Sequence, residues 1–114
     1  MSVKLTARQV GDVTVLDAAG RITLGEGSST FREAIRGLVN EGKKKLLLNL
    51  ADVSYIDSSG IGEMVSSFTT VTNAGGHMKL LNLTKRVQDL LQITKLYTIF
   101  EVFDDEAKAA VSFK

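Results

Sequence analysis

Leu46-Leu47-Leu48-Asn49-Leu50 is the stretch that most restricts how this chain can fold. A strand with one wet face alternates apolar and polar side chains, whereas a nearly continuous apolar run needs cover on both faces. The run therefore predicts a central strand with helices packed against its sheet. A few residues on, Tyr55-Ile56-Asp57-Ser58-Ser59-Gly60-Ile61-Gly62 ends the extended pattern and opens a helical one. Ile61, Met64, Val65, Phe68 and Val71 recur at helical spacing as an inward stripe, and Glu63, Ser66, Ser67 and Thr70 are expected to face outward. Asp57 is placed to cap this helix by accepting from the backbone N–H groups of Ser59 and Gly60, which leaves Ser58 on the first turn with its hydroxyl near water.

The rest of the chain alternates in the same way. Val3, Leu5 and Ala7 alternate with polar residues, Gly11-Asp12 forms a turn, and Val13, Val15 and Leu16 follow, which predicts a β-hairpin whose second strand ends near Gly20. A glycine-rich loop from Gly20 to Gly27 leads to a helix marked by Phe31, Ala34, Ile35, Leu38 and Val39. Thr30 and Glu33 have capping-box spacing, the preceding serines allow an earlier start, and Gly42 is a suitable stop. Past the Asp57 helix, Asn73-Ala74-Gly75-Gly76 is a break and His77 to Leu81 a strand. Thr84 caps a helix reaching about Gln92, with Val87, Leu90 and Leu91 inward, and Ile99 to Phe103 forms a last strand. Asp104-Asp105-Glu106 suits the positive end of a terminal helix. The expected fold is a single α/β domain over residues 1–114, with an open, mainly parallel sheet and an antiparallel strand at its N-terminal end. Both the Gly20 to Gly27 loop and the Asp57-Ser58 turn join strand to helix, so they should share one rim, where sites form in such sheets.

Several chemistries find no support. Fourteen basic against thirteen acidic side chains leave a net charge of +1, too little for a broad field that captures nucleic acid or an anionic membrane. Lys43-Lys44-Lys45 reads as solvated charge at a strand entry. There is no cysteine and only one histidine, His77, so disulfides, thiol catalysis and a zinc site are not expected. Gly37 to Lys43 has the glycine and lysine spacing of a phosphate loop, but Lys44 stands where Ser or Thr is required and the segment follows a helix. Gly25-Glu26-Gly27-Ser28-Ser29-Thr30 is a partial dinucleotide fingerprint with Thr30 in place of the last glycine. A nucleophile elbow fails at Ile56, and His77 is expected on the rim opposite Ser58. No signal-peptide core or bilayer-length apolar run is present, so a soluble, cytoplasmic protein without direct membrane insertion is expected. The chain reads as a non-enzyme with no cofactor. Ser58 is then a substrate for phosphorylation, with Ser59 as the alternative acceptor.

The segment Val53 to Gly62, set among the N-terminal hairpin, Gly20, the Leu46 to Leu50 strand, Asn73 to Gly76 and the closing Leu96-Tyr97-Thr98-Ile99-Phe100, resembles the bacterial anti-sigma factor antagonists, the single-domain STAS proteins. The resemblance implies a STAS-like open sheet and a binding protein that captures an anti-sigma factor, typically a serine kinase of the histidine-kinase-like ATPase type, and so regulates sigma-factor-dependent transcription. It implies that phosphorylation of Ser58 ends the binding and that a metal-dependent serine phosphatase restores it. The partner-binding surface expected from it comprises Arg21, Thr23 and Glu26 on one loop and Asp57, Ser58, Ser59, Gly60, Ile61 and Gly62 on the other. Many members carry an acidic variant where this chain has Gly20-Arg21-Ile22-Thr23, a charge reversal that bears on partner choice. Related STAS domains serve in stress-sensing or lipid and anion transport complexes, and a subunit of such a complex is the alternative that the resemblance implies for this chain. A small-ligand or nucleotide-binding module using Gly25 to Thr30 is the reading from another class.

Overall fold

The computed structural model describes residues 3–23 and 25–113, with the side chain of Glu26 outside the description. The hairpin is β1 (Val3–Val10) and β2 (Val13–Ile22), followed by α1 (Glu26–Asn40), β3 (Lys45–Ile56), α2 (Ser58–Asn73) and β4 (His77–Leu81). Next come α3 (Lys85–Ile93), a 3-10 turn at Leu96–Thr98, β5 (Val102–Phe103) and α4 (Glu106–Val111). The five strands lie in the spatial order β1-β2-β3-β4-β5, with β1 antiparallel to β2 and the remaining pairs parallel. The expected α/β open sheet with its N-terminal hairpin is thus what forms.

The predicted central strand is central, and its two faces meet different neighbours. Leu46, Leu48 and Leu50 join Phe31 and Ile35 of α1, Ile61, Met64 and Val71 of α2, and Val87 and Leu91 of α3 in the larger core cluster. Leu47 points the other way, into a smaller cluster with Val13, Val15, Leu81, Ala109 of α4 and Phe113 just beyond it. Alternation along a strand sends neighbouring leucines to opposite faces, so an unbroken apolar run is the signature of double cover. Among the described residues, no helix is long and apolar enough to cross a membrane.

Four local expectations are corrected. β2 continues two residues past Gly20, because Arg21 and Ile22 pair with Tyr55 and Ile56 after a register shift and Ile22 is fully buried. α1 begins at Glu26, so Thr30 and Glu33 lie within the helix and form no capping box; the N-cap is Gly25, at φ 94°, with no side-chain hydrogen bond. Ser67 is buried, and Glu63 is largely covered because it takes a two-pronged ion pair from Arg32 of α1, at 2.8 and 3.3 Å. The last strand shrinks to Val102–Phe103. Leu96–Thr98 turn as a 3-10 helix after Lys95, and Phe100 turns inward to meet Phe68 edge-on, with ring centroids 5.2 Å apart. Gly42, with φ 83°, ends the α1 segment as expected, and Thr84 caps α3 by accepting from the Val87 N–H.

One close approach positions the rim, and a charge network ties the opposite face. An added Cβ at Gly60, in the first turn of α2, would lie 2.2 Å from the Ile22 carbonyl oxygen and 2.7 Å from the Ile56 side chain. On the other face, Arg8 of β1 bridges Asp17 of β2 at 2.6 Å and Glu106 of α4 at 2.5 Å, and Asn49 of β3 donates to Asp17 at 2.8 Å. The Arg8 guanidinium holds the Asp17 and Glu106 carboxyls below their ordinary ranges, more than offsetting the opposing effect of their partial burial.

These contacts give two stability predictions. Gly60→Ala should lower unfolding free energy by about 1 to 3 kcal/mol in urea denaturation, since backbone must move, whereas Gly62→Ala, which meets nothing within 4 Å, should be neutral or raise it by up to ~1 kcal/mol. Carboxyls with depressed folded pKa values contribute stability that is present above their unfolded values of about 4 and lost as pH falls through the folded ones. Because Asp17 and Glu106 are each about a third exposed, that contribution is modest. In thermal melts, the acid-side loss below about pH 4 should be shallower in Arg8→Gln than in the parent protein.

Candidate functional site

β3 delivers Asp57 to the rim in extended backbone, φ −105° and ψ −175°, and the chain turns there into α2. The Asp57 carboxylate accepts from the Gly60 N–H at 2.8 Å, while its carbonyl accepts the first helical bond from Ile61 N–H at 2.9 Å. An N-cap of this kind stabilises a helix by about 1 kcal/mol. With the carboxylate turned to the helix end, Ser58 is exposed, Ser59 is half-buried, and Gly62 is exposed on the next turn. Gly60 and Ile61 are buried, so the missing side chain at position 60 serves an internal contact with β2.

The second loop touches this turn directly. The Asp57 N–H donates to the Ile22 carbonyl at 3.4 Å. The Thr23 carbonyl accepts both the Ser28 N–H at 3.0 Å and the Ser28 hydroxyl at 2.8 Å, which ties the start of α1 to the end of β2. Gly27 backs onto the Arg21 carbonyl, 3.0 Å from where its Cβ would be. Gly27 and Ser28 thus pack back against the end of β2. Arg21 is exposed and Thr23 half-buried; Leu24, within the predicted loop, and the Glu26 side chain, an expected contact, lie outside the described residues.

Tyr55 adds a feature that sequence reasoning missed. The guanidinium of Arg21 lies 4.7 Å from its ring centroid, and that of Arg86, from the first turn of α3, lies 4.2 Å away. Register explains the first contact, since Arg21 and Tyr55 are Cα partners across β2 and β3. The second depends on where α3 crosses the end of the sheet, for which Arg86 carries no local signal. His77, at the start of β4 beside Lys45, is at the other end of the sheet from Ser58. Among the described residues there is no group of three or more His, Cys, Asp or Glu able to hold a metal ion. What the rim offers is an exposed hydroxyl at a helix start, an adjoining strand end, and two cations on one aromatic ring.

The STAS domain matches residues 4–109. The chain is 33% identical over 102 residues to the anti-sigma-B factor antagonist of Bacillus subtilis, covering 90% of this chain and 92% of that one. It is 37% identical over 101 residues to a Thermotoga neapolitana protein assigned to the anti-sigma factor antagonists, covering 88% of each. A Thermotoga maritima protein with the same assignment has a crystal structure that superposes with a TM-score of 0.87, at 25% identity, over 96% of this chain and 93% of that one. The chain belongs to the STAS domain family, among the anti-sigma factor antagonists.

Proposed function

We propose that this chain is a non-enzymatic antagonist that captures an anti-sigma factor while Ser58 is unmodified and releases it when Ser58 is phosphorylated. The observation that carries this reading is the exposed Ser58 on the first turn of α2, beside the Asp57 cap and the end of β2, in a chain related to the anti-sigma-B factor antagonist. The anti-sigma factor is itself the serine kinase, of the histidine-kinase-like ATPase type, and a serine phosphatase reverses the reaction. ATP and metal belong to those partners, and the cycle takes place in the cytoplasm. Ser58 is favoured over Ser59 as acceptor because the latter is half-buried.

The physical chemistry of the switch is local. A phosphoryl group adds about −1.5 to −2 charges at neutral pH, and a helix N-terminus stabilises a nearby anion by roughly 0.3 to 1 kcal/mol. The Asp57 carboxylate opposes it through repulsion. These effects offset one another within the chain, so the fold tolerates the modification while the rim gains negative charge that anything docked on it must meet. Arg21, Thr23 and Glu26 on one loop and Asp57, Ser58, Ser59 and Gly62 on the other form the docking surface, with the buried Gly60 and Ile61 supporting the second loop from beneath.

Incubation with ATP and the anti-sigma kinase from the same genome, followed by peptide mass spectrometry, should place phosphate on Ser58. Equal incorporation into Ser58→Ala would contradict the assignment. Ser58→Asp should bind the kinase at least tenfold more weakly in calorimetry while its thermal midpoint stays close to the parent value; a collapse of the midpoint would instead make position 58 structural.

A further inference from the structure

We infer that Arg21 and Arg86, held against the ring of Tyr55, form a receptor for side-chain carboxylates on an acidic segment of the docking partner; this rests on the reading of the rim as a docking surface. The two guanidiniums lie 4.7 and 4.2 Å from one ring centroid, which keeps them within about 9 Å of each other, close to the screening length of roughly 8 Å in physiological salt. Two like charges at that separation repel. Among the described residues neither has an ion-pair partner, in contrast to Arg8, bound to Asp17 and Glu106, and Arg32, bound to Glu63.

The placement of Arg86 sharpens the point. It stands in the first turn of α3, where a cation opposes the helix dipole, and that turn contains no acidic residue. Helix stability therefore does not account for an arginine there, whereas an incoming anion would meet both the guanidinium and the positive helix end. Stacking on an aromatic ring fixes the guanidinium plane and leaves its edge N–H groups available for two-pronged bonds to a carboxylate. Arg21 comes from the end of β2, Tyr55 from near the end of β3 and Arg86 from α3, so three separate elements converge on the pair. The overall charge of +1 supplies no broad field, which restricts recognition to a local match with acidic side chains.

The test uses the full-length chain labelled with nitrogen-15 and a hexaglutamate peptide as probe, at low ionic strength. The Nε–H signals of Arg21 and Arg86 should shift most, and Arg21→Gln combined with Arg86→Gln should weaken binding at least tenfold. Tyr55→Leu, which keeps both charges, should also weaken it, whereas Arg36→Gln should not. Undiminished binding by the double variant, or shifts centred on Lys43 to Lys45, would overturn the inference. A second arm measures the anti-sigma kinase against Arg21→Glu combined with Arg86→Glu, with roughly hundredfold weaker binding expected at an unchanged thermal midpoint. If the kinase binds parent and variant equally, the receptor is refuted and the docking reading stands. If it does not bind the parent chain, the docking reading fails and the hexaglutamate result alone decides the receptor.

Discussion

The Ile22 carbonyl occupies space that a side chain at position 60 would need, and the geometry of the Ser58 rim depends on that contact. Parallel pairing carries Arg21 and Ile22 alongside Tyr55 and Ile56, and the register shift just before this pairing lets β2 run on past Gly20. The absence of a side chain at Gly60 then allows α2 to start hard against β2. One backbone contact thereby joins two loops that lie more than thirty residues apart in sequence. Ser58, Thr23 and Arg21 share a neighbourhood because strand pairing and one glycine leave little freedom for anything else.

Charge is distributed differently on the faces of the sheet and at its rim. Around Arg8, cations and carboxylates are matched, and the result is a link from β1 through β2 to α4. Between α1 and α2, Arg32 and Glu63 do the same. At the rim, two arginines share a tyrosine without an ion-pair partner among the described residues. Matched charges favour the folded chain over the unfolded one, whereas unmatched charges on a rigid support favour the complex over the free chain. The same residue type is held by carboxylates in two places and by an aromatic ring in the third, and packing context separates the two arrangements.

Much of this was legible in the sequence. The Leu46 to Leu50 run fixed a strand covered on both faces, and the turn residues set the order of elements. The Asp57 to Gly60 segment read as a capped helix start because short polar side chains at an N-terminus have one strong local use. Most of the misses share a cause, a long-range partner that overrode a local pattern, and one is a competition between two local contacts. Glu63 followed a helical wheel until Arg32 of α1 reached across to it, and Ser67, one turn further along α2, is buried as well. Phe100 fitted a strand until Phe68 drew it inward. The capping-box spacing of Thr30 and Glu33 was overridden when the Thr23 carbonyl accepted both the N–H and the hydroxyl of Ser28 and brought the helix start forward. Arg86 had no sequence signal at all, since its meeting with Tyr55 depends on where α3 crosses the sheet.

The central claim is that this rim, and not another face, receives the anti-sigma factor. Amide hydrogen exchange of the unphosphorylated chain, alone and saturated with that kinase, tests it most directly. Protection should appear at residues 20–23, at 57–64 and in the first turn of α3, and should disappear once Ser58 carries phosphate. Protection confined to α4 and the edge of β1, or unchanged by phosphorylation, would contradict it.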